Sequence, residues 1–281
     1  MAAGGDAGTS RAPPGSRDWS ELPLDAIASV LAKLGAMDIL MGAGLVCRSW
    51  LAAAEEPSLW LHLDMLKHNK VVEKNLRCGE TGVLCAMAKK AADRSGGQLE
   101  VFVGEEFVDG DLLKYIGGSV GVILQGTTLR VLRLTSCPNI LNEGFMEAMN
   151  KFPLLEELKL SACQSIGGRA TYEAVGKACG NLKRLELKDQ PWKYNYLHGD
   201  NYGEEAYGIA TMHGLRSLKI SRSNLTNKAL AAILGNNPHL ESIDLYYCYN
   251  INMDDAMRSK CAGIKVSMKW HNGSVVLPLN C

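Results

Sequence analysis

A short leucine pattern that returns at nearly regular intervals constrains this chain of 281 residues more than any other feature. The pattern has leucine or isoleucine at its first, fourth and sixth positions, and its five copies begin at Leu129, Leu155, Leu182, Leu215 and Leu240. The starts are separated by 26, 27, 33 and 25 residues. One unit of this length cannot bury its own apolar side, so the units are expected to stack into one continuous core.

Each copy predicts a short strand followed by a helix. Two apolar side chains alternate with polar ones in the motif, which places the apolar pair on one face of a strand. Residues 142–152 and 227–236, which lie between copies, have helical patterns. Weaker copies are predicted around Val101 and Val103 and after Cys261, around Ile264. The last of these, with the strand sequence KVSMKW, is expected to cap the C-terminal end.

Three copies carry a further signature, because cysteine follows the last leucine by three residues and isoleucine follows the cysteine by three. These positions are Cys137, Cys163 and Cys248 with Ile140, Ile166 and Ile251. The pattern resembles the cysteine-containing leucine-rich repeat found in plant-type F-box/leucine-rich-repeat proteins. That resemblance implies an α/β fold, an open solenoid with parallel strands on the concave side and helices on the convex side. Six or seven repeats make a short arc, which offers a surface rather than an enclosed pocket, so we expect no small-molecule cofactor.

Residues 19–63 carry a second, independent signal. Leu22-Pro23-Leu24-Asp25 begins a helix whose apolar residues Ile27, Val30, Leu31 and Leu34 are spaced by three and four. The segments 38–40, 45–50 and 57–60 follow in an order and spacing that resemble the F-box, although a generic helical hairpin would use the same leucines for its own core. An F-box docks on the Skp-family adaptor of a cullin–RING ubiquitin ligase. The resemblance implies that the docking surface is formed or supported by Leu22, Pro23, Leu24, Ile27, Leu31, Leu45, Val46 and Trp50.

These signals divide the chain into five parts. We predict a disordered tail over residues 1–17, an all-helical F-box over 18–65, a helical linker and N-terminal cap over 66–97, the solenoid over 98–270 and a C-terminal tail over 271–281. Within the linker, Val83, Leu84, Met87, Ala88 and Ala91 are expected on one face of a helix that ends at Gly96-Gly97.

Composition excludes several classes of function. Lysine plus arginine equals aspartate plus glutamate, 30 each, whereas nucleic-acid binders usually have a basic excess. The nine cysteines contain no C-x-x-C pair, which indicates free, mostly buried thiols rather than disulfides or zinc, and no metal site is expected. We found neither a secretory signal nor a stretch long enough for a membrane helix. We therefore expect a soluble protein in the nucleus, the cytoplasm or both.

The concave face has two interpretations. The polar residues between the inward leucines include Arg133, Lys159, Glu186, Lys219, Asp244 and Tyr246. They are candidates for binding a protein substrate. They are equally explained as mutual ion pairs, because strands lie about 4.8 Å apart and Glu157 would then face Arg184 while Lys159 faces Glu186.

The longest interval between copies contains an insert from Asp189 to Glu205. It carries four aromatic residues, Trp192, Tyr194, Tyr196 and Tyr202, and more acidic than basic residues. Insertions in repeat arrays often lie on the binding face, and aromatic residues are enriched at protein interfaces. One hypothesis is that this loop contacts a basic substrate segment. The alternative is a loop that folds on its own aromatics over the edge of the repeats.

No catalytic motif has the context that it needs. Residues 117–121 fit the hydrolase pattern G-x-S-x-G around Ser119, but the preceding residues indicate a helix rather than the required strand. The sequence therefore predicts a non-catalytic protein. By the family resemblance it is the substrate-recognition subunit of an SCF-type ubiquitin ligase, acting in ubiquitin-dependent protein catabolism through the adaptor, cullin and RING subunits. The alternatives are an F-box scaffold without a role in degradation and a serine hydrolase.

Overall fold

The structure is a computed structural model that describes residues 18–66, 81–118, 127–189 and 203–270, together with the strand at 273–277. The predicted tail at 1–17, Ser119 and the aromatic residues of the insert lie outside the described residues.

The described chain is a small helical unit followed by a repeating strand and helix. The helices are α1 Leu24–Leu31, α2 Ala36–Met41, α3 Arg48–Ala53, α4 Thr81–Arg94, α5 Gly110–Gly118, α6 Asn142–Met149, α7 Arg169–Ala178, α8 Glu204–Ile209, α9 Asn227–Asn236 and α10 Asp255–Lys260. Short 3-10 turns are Trp19–Glu21, Ala43–Leu45 and Pro57–Trp60. The strands are β1 His62–Asp64, β2 Val101–Glu105, β3 Val131–Thr135, β4 Glu157–Ser161, β5 Arg184–Lys188, β6 Ser217–Ser221, β7 Ser242–Tyr246, β8 Lys265–Trp270 and β9 Gly273–Leu277.

The strands form one nine-stranded sheet in sequence order. Neighbours from β1 to β8 are parallel, and only the last pair, β8 with β9, is antiparallel. The five strands predicted from the leucine pattern are confirmed as β3 to β7, and the two weaker copies are confirmed as β2 and β8. A parallel sheet in which every crossover carries a helix is the expected arrangement of stacked strand–helix repeats.

The repeated leucines form the core because the register is the same in every repeat. One layer aligns Phe102, Leu132, Leu158, Leu185, Leu218, Ile243 and Val266, and these side chains are buried. The signature cysteines are buried immediately after the strands. In the described repeats, the residue after each of β3 to β7 has a positive φ between 51° and 57°. This turn carries the chain away from the sheet at the same point in each repeat.

The sheet extends beyond both ends of the predicted solenoid. The segment at 18–65 is not entirely helical, because His62–Asp64 is a strand that pairs with β2 through Leu63 and Phe102. Part of the predicted C-terminal tail is also a strand, β9, which pairs with β8. Single-sequence patterns missed both strands because they lack the leucine spacing. Each covers a sheet edge that would otherwise have unpaired backbone groups.

The junction between the helical unit and the repeats is built around Trp60. Its side chain is almost fully buried, and its indole Nε1 donates a hydrogen bond of 2.9 Å to the carbonyl oxygen of Ala54. The guanidinium carbon of Arg94, at the end of α4, lies 5.2 Å from the centroid of the Trp60 ring. Residues from both sides therefore share one core.

The predicted linker helix is observed as α4, and its predicted apolar face is buried or half-buried except at Val83. Leu84, Ala88, Ala91 and Ala92 are buried, whereas Val83 is exposed. Gly96 and Gly97 follow the helix with φ values of 59° and 82°, the left-handed conformation that glycine adopts without strain.

Candidate functional site

An apolar surface is exposed on the N-terminal helical unit. Leu24 is 54% exposed, Leu45 is 72% exposed and Val46 is 63% exposed. Met41 and Trp19 are also more than half exposed. Several large apolar side chains on one small unit indicate an interaction site. We call Trp19, Leu24, Met41, Leu45 and Val46 the N-terminal apolar surface.

The structure separates the eight predicted docking residues into three groups. Leu24, Leu45 and Val46 are exposed, as is Pro23 at the start of α1. Leu22 and Trp50 are half-buried and pack against the core. Ile27 and Leu31 are fully buried, so of the two predicted roles they can only support a docking surface and do not form part of it. They hold α1 in place from beneath.

The apolar stripe predicted for α1 explains why Ile27 and Leu31 are buried. Ile27 and Leu31 are four residues apart and point to the core, whereas Val30 is 43% exposed. Leu34 follows Ile27 by seven residues but is exposed, because the helix ends at Leu31 and Leu34 lies beyond the helical face. Sequence reasoning also missed Trp19 and Met41, since single exposed apolar residues outside a stripe give no periodic signal.

Hydrogen bonds fix the segment that precedes α1. The Trp50 indole Nε1 donates to the carbonyl oxygen of Trp19 at 3.1 Å, and the Ser49 hydroxyl donates to the carbonyl oxygen of Ser20 at 2.9 Å. Asp18 caps the first turn by accepting a hydrogen bond from the Ser20 amide. Trp50 therefore contributes to the N-terminal apolar surface by positioning Trp19.

The second candidate surface is the face of the sheet away from the helices, which we call the open sheet face. Its central row aligns Val103, Arg133, Lys159, Glu186, Lys219, Asp244 and Ser267. Lys159 and Glu186 form an ion pair of 3.0 Å, as the sequence predicted. Lys219 and Asp244 are 3.7 Å apart. Much of this row is therefore neutralised within the protein.

The carboxylate of Glu157 connects three strands. Arg133 Nε donates to Glu157 Oε1 at 2.7 Å, and Arg184 Nε donates to Glu157 Oε2 at 2.8 Å. The predicted pairing of Glu157 with Arg184 is confirmed. Burial works to raise the pKa of Glu157, but the hydrogen bonds from the two arginines outweigh it, so this pKa lies below its usual value.

Replacing Glu157 by glutamine is expected to reduce the free energy of unfolding by about 1–2 kcal/mol at neutral pH, because both arginines lose a charged acceptor. A lowered folded-state pKa means that the carboxylate stabilises the protein fully above its unfolded pKa of about 4.3 and loses this contribution as the pH falls through the folded pKa. Urea denaturation at neutral and acidic pH measures this.

The matched control is Glu241→Gln, since Glu241 pairs with Arg216 but is mostly exposed. Its effect should stay below about 1 kcal/mol. An equal decrease in the free energy of unfolding of the two variants at neutral pH would contradict the role given to Glu157.

Aromatic residues are concentrated where the later strands end. Lys219 Nζ lies 6.0 Å from the ring centroid of Tyr246, and the Arg222 guanidinium carbon lies 5.7 Å from that of Tyr247. Tyr249 is 61% exposed. Tyr246 is thus the one aromatic candidate of the predicted substrate-binding set that the structure describes. Trp192, Tyr194, Tyr196 and Tyr202 lie outside the described residues, and the hypothesis about the insert stays a prediction.

The described cysteines are free thiols, and most are buried. Burial raises the pKa of Cys179 to about 12 and that of Cys248 to about 11. At neutral pH these side chains are uncharged and pack as small apolar groups. Among the described residues, no group of three or more histidine, cysteine or acidic side chains is arranged to hold a metal ion. None of the described helices has the length and hydropathy that crossing a bilayer requires.

Comparison with known proteins identifies the family of the chain. Residues 19–66 match the family model described as F-box-like. The F-box protein SKIP19 of Arabidopsis thaliana is 36% identical over 247 residues, which cover 88% of this chain and 74% of that protein. Putative F-box/LRR-repeat protein 9 of the same plant is 35% identical over 84% of this chain and 90% of its own length. The chain belongs to the F-box/LRR-repeat family.

The extent of the similarity differs among relatives. Putative F-box/LRR-repeat protein 23 of Arabidopsis thaliana is 35% identical over 87% of this chain. This chain spans only about half of that relative's length, 51%. Among solved structures, the yeast complex of Rad7 and Elc1 contains a chain that matches with a TM-score of 0.50 and 14% identity. That match covers 65% of this chain and 43% of the other and supports the fold alone.

Family and structure together describe a helical F-box followed by a leucine-rich-repeat solenoid. The family names suggest a non-catalytic F-box adaptor. The predicted hydrolase alternative rests on Ser119, which is outside the described residues; the residues before it form α5, not the strand that a nucleophile elbow requires.

Proposed function

We propose that this F-box/LRR-repeat protein is the substrate-recognition subunit of an SCF-type cullin–RING E3 ubiquitin ligase. The N-terminal apolar surface would bind a Skp-family adaptor, and the solenoid would bind a protein substrate. The observation that carries the proposal is the exposure of Leu24, Leu45 and Val46 within the residues that match the F-box-like model. Such side chains are stabilised when a partner removes them from water.

The continuity of the sheet supports the second half of the proposal. Strand β1 lies within the F-box-like match, yet it is hydrogen-bonded to β2 as the first strand of the solenoid sheet. The Trp60–Arg94 contact packs the same junction. A substrate held on the repeats would therefore sit at a defined position relative to the adaptor.

The proposed contribution to ubiquitin transfer is proximity. The ubiquitin chemistry belongs to the partner subunits, and this protein would raise the effective concentration of a substrate lysine near the charged conjugating enzyme. The proposed partners are the Skp-family adaptor and, through it, cullin and RING subunits, and the proposed location is the nucleus, the cytoplasm or both.

The full chain, co-expressed with a plant Skp-family adaptor, is expected to elute as a one-to-one complex in size-exclusion chromatography. When cullin and RING subunits are added, the chain should co-elute with them as part of a larger ligase complex. Failure of the two folded proteins to associate would overturn the proposal. Adaptor binding by a chain whose loss leaves the abundance of every captured protein unchanged would favour the scaffold alternative.

A further inference from the structure

A cluster of tyrosine and basic side chains lies along β6, β7 and β8 and in the residues that follow β6 and β7. Two of its basic side chains are ion-paired, Lys219 with Asp244 at 3.7 Å and Arg222 with Asp189 at 2.9 Å. We call the cluster the tyrosine–basic surface, and it consists of Lys219, Arg222, Tyr246, Tyr247, Tyr249 and Lys269. Tyr246 and Lys269 are register partners on adjacent strands. Tyr249 is largely exposed and lies in the turn that follows β7.

The cluster is positioned by the backbone as well as by its side chains. The amide of Arg222 donates to the carbonyl oxygen of Tyr246 at 2.7 Å, and the amide of Tyr247 donates to that of Lys269 at 2.8 Å. Arg222 also pairs with Asp189 at 2.9 Å. Residues from three repeats are thus held side by side.

The charge of the sheet changes from one end to the other. Strands β2 to β4, each taken with the residue that follows it, contain two basic residues and three acidic ones. The same positions of β5 to β8, with Trp270 ending β8, hold six basic residues and three acidic ones: Arg184, Lys188, Lys219, Arg222, Lys265 and Lys269 against Glu186, Asp189 and Asp244. Among the described residues, no carboxylate oxygen lies within 4.0 Å of Lys269 Nζ.

We infer that the tyrosine–basic surface binds an acidic, extended peptide segment of the substrate. The inference rests on the proposed function, since it assigns the chemistry of the segment that the solenoid recognises. Basic side chains attract carboxylates, and tyrosine supplies rigid contact area together with a hydroxyl donor. The three strands from β6 to β8 span two spacings, or about 10 Å, which an extended segment of about three residues would cross.

This assignment differs from the basic substrate segment suggested by the insert. That hypothesis depends on residues 190–202, which are outside the described residues, whereas the described part of the face has the opposite charge preference. A nucleic acid would also meet a positive surface, but the chain as a whole has no net charge and the excess is confined to one end of the sheet.

The test is fluorescence anisotropy of the full chain with two labelled peptides. One carries consecutive glutamates in serine–glycine flanks, and its counterpart carries glutamines at the same positions. We expect the glutamate peptide to bind at least about tenfold more tightly and Lys269→Glu to weaken it by about tenfold. Lys260→Glu is the matched control, because Lys260 is exposed on α10 of the same repeat.

The inference is overturned if the two peptides bind equally, if neither binds, or if Lys260→Glu weakens binding as much as Lys269→Glu. A uridine oligonucleotide that binds more tightly than the glutamate peptide, and loses binding in Lys269→Glu, would also overturn it and indicate a nucleic-acid surface. Circular dichroism of each variant checks folding.

Adaptor binding, measured in parallel, separates this inference from the proposed function. Lys269→Glu should bind the adaptor as the wild type does, because the two surfaces lie at opposite ends of the sheet order. Adaptor binding without peptide discrimination would remove only the acidic-segment inference. Peptide discrimination without adaptor binding would remove the proposed function and leave a peptide-binding solenoid.

Discussion

Replacing Leu45 and Val46 together by glutamate is expected to weaken the complex with a Skp-family adaptor by more than about 100-fold. Both side chains are mostly exposed and adjacent in sequence, at the end of the 3-10 turn Ala43–Leu45. Two carboxylates at the centre of an apolar interface would have to be desolvated without partners. Isothermal titration with the purified adaptor measures the loss.

Leu141→Glu provides the matched control, because Leu141 is 60% exposed but lies in the solenoid, next to α6. It should leave adaptor affinity unchanged. Because none of the three side chains is buried, each variant should keep the unfolding midpoint of the wild type. Undiminished adaptor binding by the Leu45→Glu/Val46→Glu variant would place the docking surface elsewhere.

Replacing Trp60 by alanine is expected to lower the free energy of unfolding by about 3–5 kcal/mol. The substitution opens a cavity where the F-box and the repeats share a core, and it removes the hydrogen bond to Ala54. It also removes the ring over Arg94, whose Nε and Nη1 are buried without a hydrogen-bond partner in the described structure. Urea denaturation followed by far-UV circular dichroism measures the change.

Trp19→Ala is the control for this prediction. Trp19 is mostly exposed, and only its backbone carbonyl accepts the hydrogen bond from Trp50, which alanine retains. Its effect on stability should be within about 0.5 kcal/mol. If Trp60→Ala unfolded at the same urea concentration as Trp19→Ala, the junction would contribute little to the stability of the protein. The F-box would then fold independently of the solenoid.

The repeats were predictable because their leucine motif is local in sequence and recurs in several copies. Side chains alternate across a strand, so Leu132 and Leu134 had to share a face, and the same holds in each later copy. The same motif positions recur on each strand, which fixed the register and made the pairing of Glu157 with Arg184 and Lys159 with Glu186 foreseeable. Each of these conclusions needs only the period of a strand and the distance between neighbouring strands.

The docking surface was less predictable. The F-box resemblance selected eight residues, but it did not distinguish Ile27 and Leu31, which are buried, from Leu45 and Val46, which are exposed. Periodicity shows which side chains share a helix face, and it does not show whether that face meets the core or the solvent. The same reason explains why Val83 was placed on the buried face of α4 when it is exposed.

By itself the sequence determined the class of protein: a helical F-box, stacked strand–helix repeats and the layer of leucines that holds them together, because these follow from local spacing. Only the tertiary structure decided how the two parts join, through β1 and Trp60, and which apolar side chains remain exposed. It alone brought Arg222, Tyr247 and Lys269 together from three repeats. These contacts join residues distant in sequence, and the packing of the whole chain sets them.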